Sequence, residues 1–354
     1  MRRLGSLIAL AAGLGLASAP ACGETKQQKE GGELYARMCT VCHGPNGEGY
    51  KADQAPALRD PGFLGTATNA FLKESIVNGR LGSTMSAWGR QSGGPLTDPQ
   101  VDAVIAYMRL WAPKKKPIPM DEKLLTGDKN RGGLLYHQNE CVKCHGFRGV
   151  EGPNARIANP GFLAKASNGF LRHAIRNGRP GTQMAAFGSK LGDQGVEDVI
   201  ALIRSWSEPM AVRPAPPPPP PPIPLGKVPL HPRGPEPIGF KTAPDPTPAD
   251  VIKAQLDRGA KMVLLDARAP SDYLREHITG AVSVPFYDPA PYFDKLPRDA
   301  WLVCYCACPH AESGQLAAKL KEKGFTKVTV LDEGLGYWRT KNYGITKADP
   351  EQAK

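Results

Sequence analysis

The sequence predicts a multidomain chain, with two small all-α domains in tandem followed by one α/β domain. Three observations predict it. Two segments repeat one another, a proline-rich stretch follows the second copy, and beyond that stretch short apolar runs alternate with helical patterns. At 354 residues the chain is also long for a single core.

The repeat is read from paired stretches. "YARMCTVCHGPNGEGY" lines up with "YHQNECVKCHGFRGVEG", and "DPGFLGTATNAFLKESIVNGRLGSTMSAWG" with "NPGFLAKASNGFLRHAIRNGRPGTQMAAFG". The offset is 102 at the cysteines, 99 through PGFL, NGR and the methionine, and 95 in the closing "VDAVIAYMRLW" and "VEDVIALIRSW". Offsets that change only in Gly/Pro-rich stretches mark loop deletions between two copies of one fold. Each copy has an amphipathic segment before its cysteines, a shorter helix near "FLKESIVNG" or "FLRHAIRNG", and a final helix. In the first copy's final helix Val101, Val104, Ile105 and Met108 recur at i, i+3, i+4, i+7. The two domains are placed at 31–112 and 127–207, with a linker at 113–126.

Seventeen prolines fall between 208 and 248, seven of them consecutive (Pro216–Pro222). Such a stretch cannot build a packed core, so 208–246 is read as a linker in extended polyproline II. Thr247-Pro248-Ala249-Asp250 reads as a helix start, with Thr247 capping and Pro248 at the first helical position. Strand-like "MVLLDA", "AVSVPF", "WLVCYC" and "KVTVL" then alternate with helical "PSDYLREH" and "SGQLAAKLKEKG". That alternation indicates parallel strands buried on both faces. The domain is placed at 247–345, with a tail at 346–354.

The opening "MRRLGSLIALAAGLGLASAPAC" has two arginines, an apolar run rich in small residues, and an A-x-A pattern at Ala19-Pro20-Ala21. It reads as an export signal over 1–21, too short and Gly/Ala-rich for a membrane span. Cys22 follows directly, where a bacterial lipoprotein carries its lipid. Lipidation and plain cleavage are both open readings, and 22–30 serves as a tether in either. The expected location is the periplasm, with the membrane reached only through a lipid on Cys22. Of the net charge of +11, more than half lies between 112 and 207. No basic stripe carries interleaved aromatics, so nucleic acid is a poor reading and no nucleic-acid partner is expected. A basic second module suits an acidic partner protein, although solvated surface charge is the more frequent explanation of such a balance.

Cys39-Thr-Val-Cys42-His43 and Cys141-Val-Lys-Cys144-His145 are each C-x-x-C-H. This spacing lets two thiols form thioethers to the vinyl groups of one haem while the adjoining imidazole reaches the iron. Two such motifs, in repeats behind an export signal, predict two covalently bound haem c groups. The whole repeat resembles the class I cytochrome c domain, including the Gly after the His, the late Met and the closing helix. The resemblance implies that Met85 in "GSTMSAWG" and Met184 in "GTQMAAFG" are the second axial ligands, 42 and 39 residues after the histidines. The alternative is that each Met fills a gap in a core. The family commonly has Pro after this Met, where Ser86 and Ala185 stand here. A His/Met haem has no free coordination site, so electron transfer is expected rather than oxygen chemistry. The implied partner is a redox protein or a membrane electron-transfer complex.

Residues 247–345 resemble a rhodanese domain, on "LLDARAPSDYLREHITGAVSVPF" (264–286), "WLVCYC" (301–306) and "VLDEGLGYWR" (330–339). The resemblance implies a five-stranded, mostly parallel sheet and a nucleophilic cysteine where a central strand meets a loop, which is Cys306. Its thiolate would attack the outer sulfur of a donor and pass that sulfur on through Cys–S–SH. Strand alternation puts Cys304 on the same face, buried in the sheet. Loop N–H groups and the following helix N-terminus favour the thiolate. Many active members have Arg five residues after the cysteine. Here Ala311 stands there with Glu312 next, and the loop is one residue longer. An acid in place of a cation weakens binding of anionic thiosulfate. Cys308 and His310 are auxiliary candidates, as a resolving thiol and a proton donor. A zinc site on Cys304, Cys306, Cys308 and His310, a Cys306–Cys308 disulfide, and a docking domain without catalysis are further readings.

Together these features predict an exported dihaem cytochrome fused to a domain that handles sulfane sulfur, coupling oxidation of a small sulfur compound to haem reduction. The alternatives are an electron carrier with an inactive docking domain, and a sulfurtransferase with fused haem modules.

Overall fold

The computed structural model describes residues 24–49, 52, 55–80, 83–112, 118–180, 182–207, 230–308 and 310–347. The expected export signal and Cys22 lie outside them, as do the consecutive prolines. The first copy comprises α1 (Lys26–Met38), α2 (Thr40–His43), α3 (Pro61–Thr66), α4 (Asn69–Asn78) and α5 (Asp98–Met108). The second repeats this order with α6 (Lys129–Gln138), α7 (Cys141–His145), α8 (Pro160–Leu163), α9 (Asn168–Asn177) and α10 (Gly188–Ser205). Helix α1 begins inside the stretch read as a tether, because Thr25 and Gln28 form a reciprocal capping box. Gln28 N–H donates to Thr25 Oγ1 at 3.2 Å and Thr25 N–H to Gln28 Oε1 at 2.8 Å.

In each copy the first and last helices cross in backbone contact, and a glycine permits it. A Cβ on Gly31 would sit 1.9 Å from the Ala103 carbonyl oxygen, and one on Gly132 2.0 Å from that of Asp198. Val101, Val104, Ile105 and Met108 are all buried, as the helical period predicts. The fall in offset from 99 to 95 is located at one joint. The first copy has a loop between Trp88 and α5, whereas the second passes from Phe187 into α10, which Gly192 at φ +64° breaks after a short first turn.

The α/β part runs β1 (Pro246–Thr247), α11 (Ala249–Asp257), β2 (Met262–Asp266), α12 (Pro270–Arg275), β3 (Glu276–Ile278), β4 (Val282–Ser283), β5 (Trp301–Tyr305), α13 (Ala311–Glu322), β6 (Val328–Leu331), α14 (Gly334–Thr340) and β7 (Ile345–Lys347). Five strands form a parallel sheet in the order β1-β6-β5-β2-β4, and β3 pairs antiparallel with β7 beside it. Strands β2 and β6 are buried along their whole length, which is why they read as unbroken apolar runs.

Thr247 does not cap α11. It lies in β1, fully buried, with its hydroxyl 2.7 Å from Thr329 Oγ1 and accepting the Lys241 N–H at 2.9 Å. Pro248 precedes the helix, and Ala249 N–H is satisfied instead by the Glu333 carboxylate at 2.8 Å. The end of the stretch read as linker is already part of this fold, since Leu230 N–H donates to Met262 O at 2.7 Å. Among the described residues no helix is long and apolar enough to cross a membrane.

Candidate redox and sulfur site

The two C-x-x-C-H motifs lie on single turns, one formed by α2 with Cys39 as its N-cap and the other by α7. Cysteines at i and i+3 share one side of such a turn. Each histidine is oriented by a backbone carbonyl. His43 Nδ1 lies 3.1 Å from Pro56 O and His145 Nδ1 2.9 Å from Ala155 O. A proton held on Nδ1 leaves the Nε2 lone pair for a metal. Burial lowers both imidazole pKa values, which keeps the rings neutral as a ligand must be. Tyr35 and Tyr136 donate to the Gly44 and Gly146 carbonyls, each at 2.9 Å, and fix the chain just after each motif.

The methionines are brought back over these motifs by the repeated Asn-Gly-Arg triplets. Gly79 and Gly178 adopt φ +63° and +65°, and a Cβ on either would fall 2.5 Å from the Met85 or Met184 carbonyl oxygen. The next residue closes the turn, with Arg80 N–H on Met85 O at 2.9 Å and Arg179 N–H on Met184 O at 2.8 Å. Cys39, Cys42, His43 and Met85 line a cavity of about 480 Å³, and Cys141, Cys144, His145 and Met184 line the same one. The copies exchange aromatic contacts beside it. Phe71 stacks on Phe170 with centroids 5.4 Å apart, flanked by Phe63–Phe170 at 6.4 Å and Phe71–Phe162 at 6.2 Å.

The sequence did not single out two residues of that wall. The Arg80 guanidinium lies 5.0 Å over the Phe71 ring and that of Arg179 4.9 Å over Phe170. Burial pushes Arg80 down to about 10. Cations in an apolar wall favour a ligand that brings carboxylates, and haem does so. Thiol pairs, oriented imidazoles, thioethers and these cations together fit one haem c in each copy. The only sequence signal for the arginines was the repeated triplet.

Cys306 stands just past β5, with the N-terminus of α13 facing it. Cys304 is fully buried inside β5, where burial holds its thiol well above the usual range. Cys306 is fully buried too, yet its neighbours act differently. Burial pushes its pKa up, but the Cys308 and Ser313 side chains and the N–H groups of Ser313 and Glu312 pull it down to about 6. Its sulfur lies 3.3 Å from Ser313 Oγ and 3.5 Å from Cys308 Sγ, and as a thiol it donates to the Cys308 carbonyl at 2.6 Å. Glu312 is buried beside it. Burial, then the Cys306 and Asp272 charges, raise its pKa well above the carboxylate range.

The zinc and disulfide readings of this stretch can be set against the geometry. His310 turns away, with Nε2 2.9 Å from Asp332 Oδ1. The donor atoms gathered within 4.8 Å of one another belong to Cys306, Cys308 and Glu312, so the four-residue zinc set is not assembled. None of the described cysteines is in a disulfide. The Asp-x-Arg pair is structural, since Arg268 forms a buried ion pair with Asp266 at 2.6 Å and Tyr305 OH donates to the same carboxylate at 2.8 Å.

What the sequence could not predict is how the α/β part meets the first copy. Ser86, next to Met85, donates to Asp272 Oδ2 at 2.5 Å, and Ser271 donates to the Ala87 carbonyl at 2.7 Å, both buried. The Trp88 ring packs 5.5 Å from that of Tyr287. Glu312 lines the shared cavity together with Met85 and Ser86. In the second copy the counterparts of Ser86 and Ala87, which are Ala185 and Ala186, are exposed.

Comparison with known proteins agrees with this division. Residues 26–108 and 127–203 match the family described as cytochrome c oxidase, cbb3-type, subunit III, and residues 248–341 match the rhodanese-like domain. The cbb3-type cytochrome c oxidase subunit CcoP of Azospirillum sp. (strain B510) is 25% identical over 195 residues, covering 49% of this chain and 60% of that protein. Thiosulfate dehydrogenase of Stutzerimonas stutzeri (strain A1501) is 31% identical over 129 residues, covering 33% of this chain and 36% of that protein. The Kuenenia stuttgartiensis reducing HAO-like protein complex Kustc0457/Kustc0458 aligns with a TM-score of 0.35 at 22% identity, covering 51% of this chain and 96% of that one. The chain thus spans less than two thirds of the length of the curated relatives named here. It consists of two cytochrome c domains, a domain type that implies covalently bound haem c, followed by a rhodanese-like domain.

Proposed function

We propose that this protein is an exported dihaem cytochrome that accepts sulfane sulfur at Cys306 and passes the electrons of its oxidation to the cytochrome domains. The observation that carries the reading is the shared wall. Glu312, in contact range of Cys306, lines the cavity that also holds Cys39, Cys42, His43 and Met85. Cys39, Cys42, His43 and Met85 in one copy, and Cys141, Cys144, His145 and Met184 in the other, would each hold a haem c, which would supply one one-electron acceptor per copy. The chain's own residues do the rest. Ser313 and the N–H groups at the start of α13 hold Cys306 as a thiolate, the form that attacks a donor sulfur. The Ser86–Asp272 and Ser271–Ala87 bonds hold α12 of the α/β part against the first copy. Glu312, buried and held in its neutral form where a cation would otherwise stand, offers dianionic thiosulfate no counter-charge and leaves persulfides as the fitting donors.

Ala185 and Ala186 mark the face where a redox partner would take electrons from the second copy, because the equivalent face of the first copy is already covered. The periplasm is the compartment in which such haem attachment and such partners meet, with a lipid on Cys22 as the means of tethering.

The test mixes oxidised holoprotein with glutathione persulfide and follows haem reduction by visible absorbance, beside Cys306→Ser. Loss of reduction in the variant supports Cys306 as the entry point. Equal rates in both would leave an electron carrier with a separate docking domain.

A further inference from the structure

The loop after β5 holds a second sulfur for which simple sulfur transfer has no use. Cys308 is buried, and its Sγ lies 3.5 Å from Cys306 Sγ. The backbone between them is anchored, since Leu335 N–H donates to Cys306 O at 2.9 Å. A direct disulfide has an S–S bond of about 2.05 Å, so the two sulfurs would have to close by roughly 1.5 Å. Two such bonds meeting at one bridging sulfur, at an angle of roughly 105°, span about 3.3 Å. The observed separation is therefore close to that of a trisulfide, Sγ–S–Sγ, with one sulfur atom inserted.

We propose that Cys306 and Cys308 close around a single sulfane sulfur atom as a trisulfide, and that this closure is the two-electron oxidation the site performs. The inference rests on the reading that Cys306 accepts sulfur. The step balances as Cys306–S–S⁻ + HS–Cys308 → Cys306–S–S–S–Cys308 + H⁺ + 2 e⁻. One S–S bond forms and one S–H bond breaks. The sulfur pair is oxidised, and the oxidant is two ferric c-type haems, each taking one electron. The proton leaves to water, and Glu312 is the titratable group beside its path, with a carboxyl oxygen within 4.8 Å of both sulfurs. Closure also replaces an anion with a neutral bridge next to a buried carboxyl, which low-dielectric surroundings favour. His310 cannot serve as the second partner, because Asp332 holds it. Cys304 cannot, because it lies within the sheet.

The experiment uses ferric holoprotein without oxygen, given glutathione persulfide or inorganic polysulfide, then alkylated, digested and weighed. In the wild type, the peptide carrying both cysteines should resist alkylation, gain one sulfur and lose two hydrogens, with two haems reduced per chain. In Cys308→Ser, and likewise in Cys308→Ala, Cys306 should keep an alkylatable persulfide while haem reduction slows at least tenfold. Haem reduction at the wild-type rate in both variants overturns the proposal while leaving Cys306 as the sulfur acceptor. So does a wild-type peptide that loses two hydrogens without gaining sulfur. Absence of sulfur on Cys306 in every protein overturns this proposal and the function above together.

Discussion

Cys306 keeps a low thiol pKa in a fully buried position because its donors come from Cys308 in the following loop and from the start of the next helix rather than from its own strand. Burial alone drives Cys304, two residues away, in the opposite direction. The folded value of about 6 lies below an unfolded thiol's ~8.5. Stability from this thiolate is therefore fully present above the unfolded value and is lost as pH falls through about 6. Alkylation of Cys306 by iodoacetamide, read by peptide mass, should have its midpoint near pH 6. Ser313→Ala should move that midpoint upward, and an unmoved midpoint would remove Ser313 from the account. The methionines make a second test at this scale. Met85→Ala and Met184→Ala should each abolish the iron–thioether charge-transfer band of one haem only and lower that haem's potential by on the order of a hundred millivolts. Retention of both bands in either variant would make that Met a packing residue.

Among the elements, the helices were the most legible part of the chain, and the physical reason is repetition. Two copies display the same apolar period, the same Cys-x-x-Cys-His turn and the same Asn-Gly-Arg corner, so each checks the other. The parallel strands were legible because burial on both faces removes the polar alternation that confuses short strands. Thr247 shows the limit. A threonine before Pro-Ala-Asp has the local signature of a cap, but sheet pairing with β6 claims its hydroxyl. Local signals cannot see a partner eighty residues away. Glycine contacts were invisible for the same reason. Gly31→Ala should drive α1 off α5 and cost about 1–3 kcal/mol, lowering the thermal midpoint of the haem-loaded protein. An unchanged midpoint would mean that the helices separate freely.

At the scale of the molecule, the motifs predicted every unit and none of the contacts between them. The proline-rich stretch suggested spacing, whereas the structure packs α12 of the α/β part against the first cytochrome copy. No sequence feature pairs Ser86 with Asp272, because interface complementarity has neither period nor motif. Ser271→Glu would press a carboxylate against the Ala87 carbonyl and Asp272. Persulfide-driven haem reduction should then fall at least tenfold while sulfur loading of Cys306 persists, and the particle should expand in small-angle scattering. Reduction at full rate in an expanded particle would show that contact is dispensable.

The cavity common to both copies has a consequence for how the protein is made. The cavity is lined by residues of both copies, so each contributes a wall to the space the other encloses. A chain carrying one cofactor would still expose the unfilled half of a joint interior and would be an early target for proteolysis. Export, attachment and survival are thus linked, and half-loaded molecules should be scarce in the cell however slowly the second attachment proceeds.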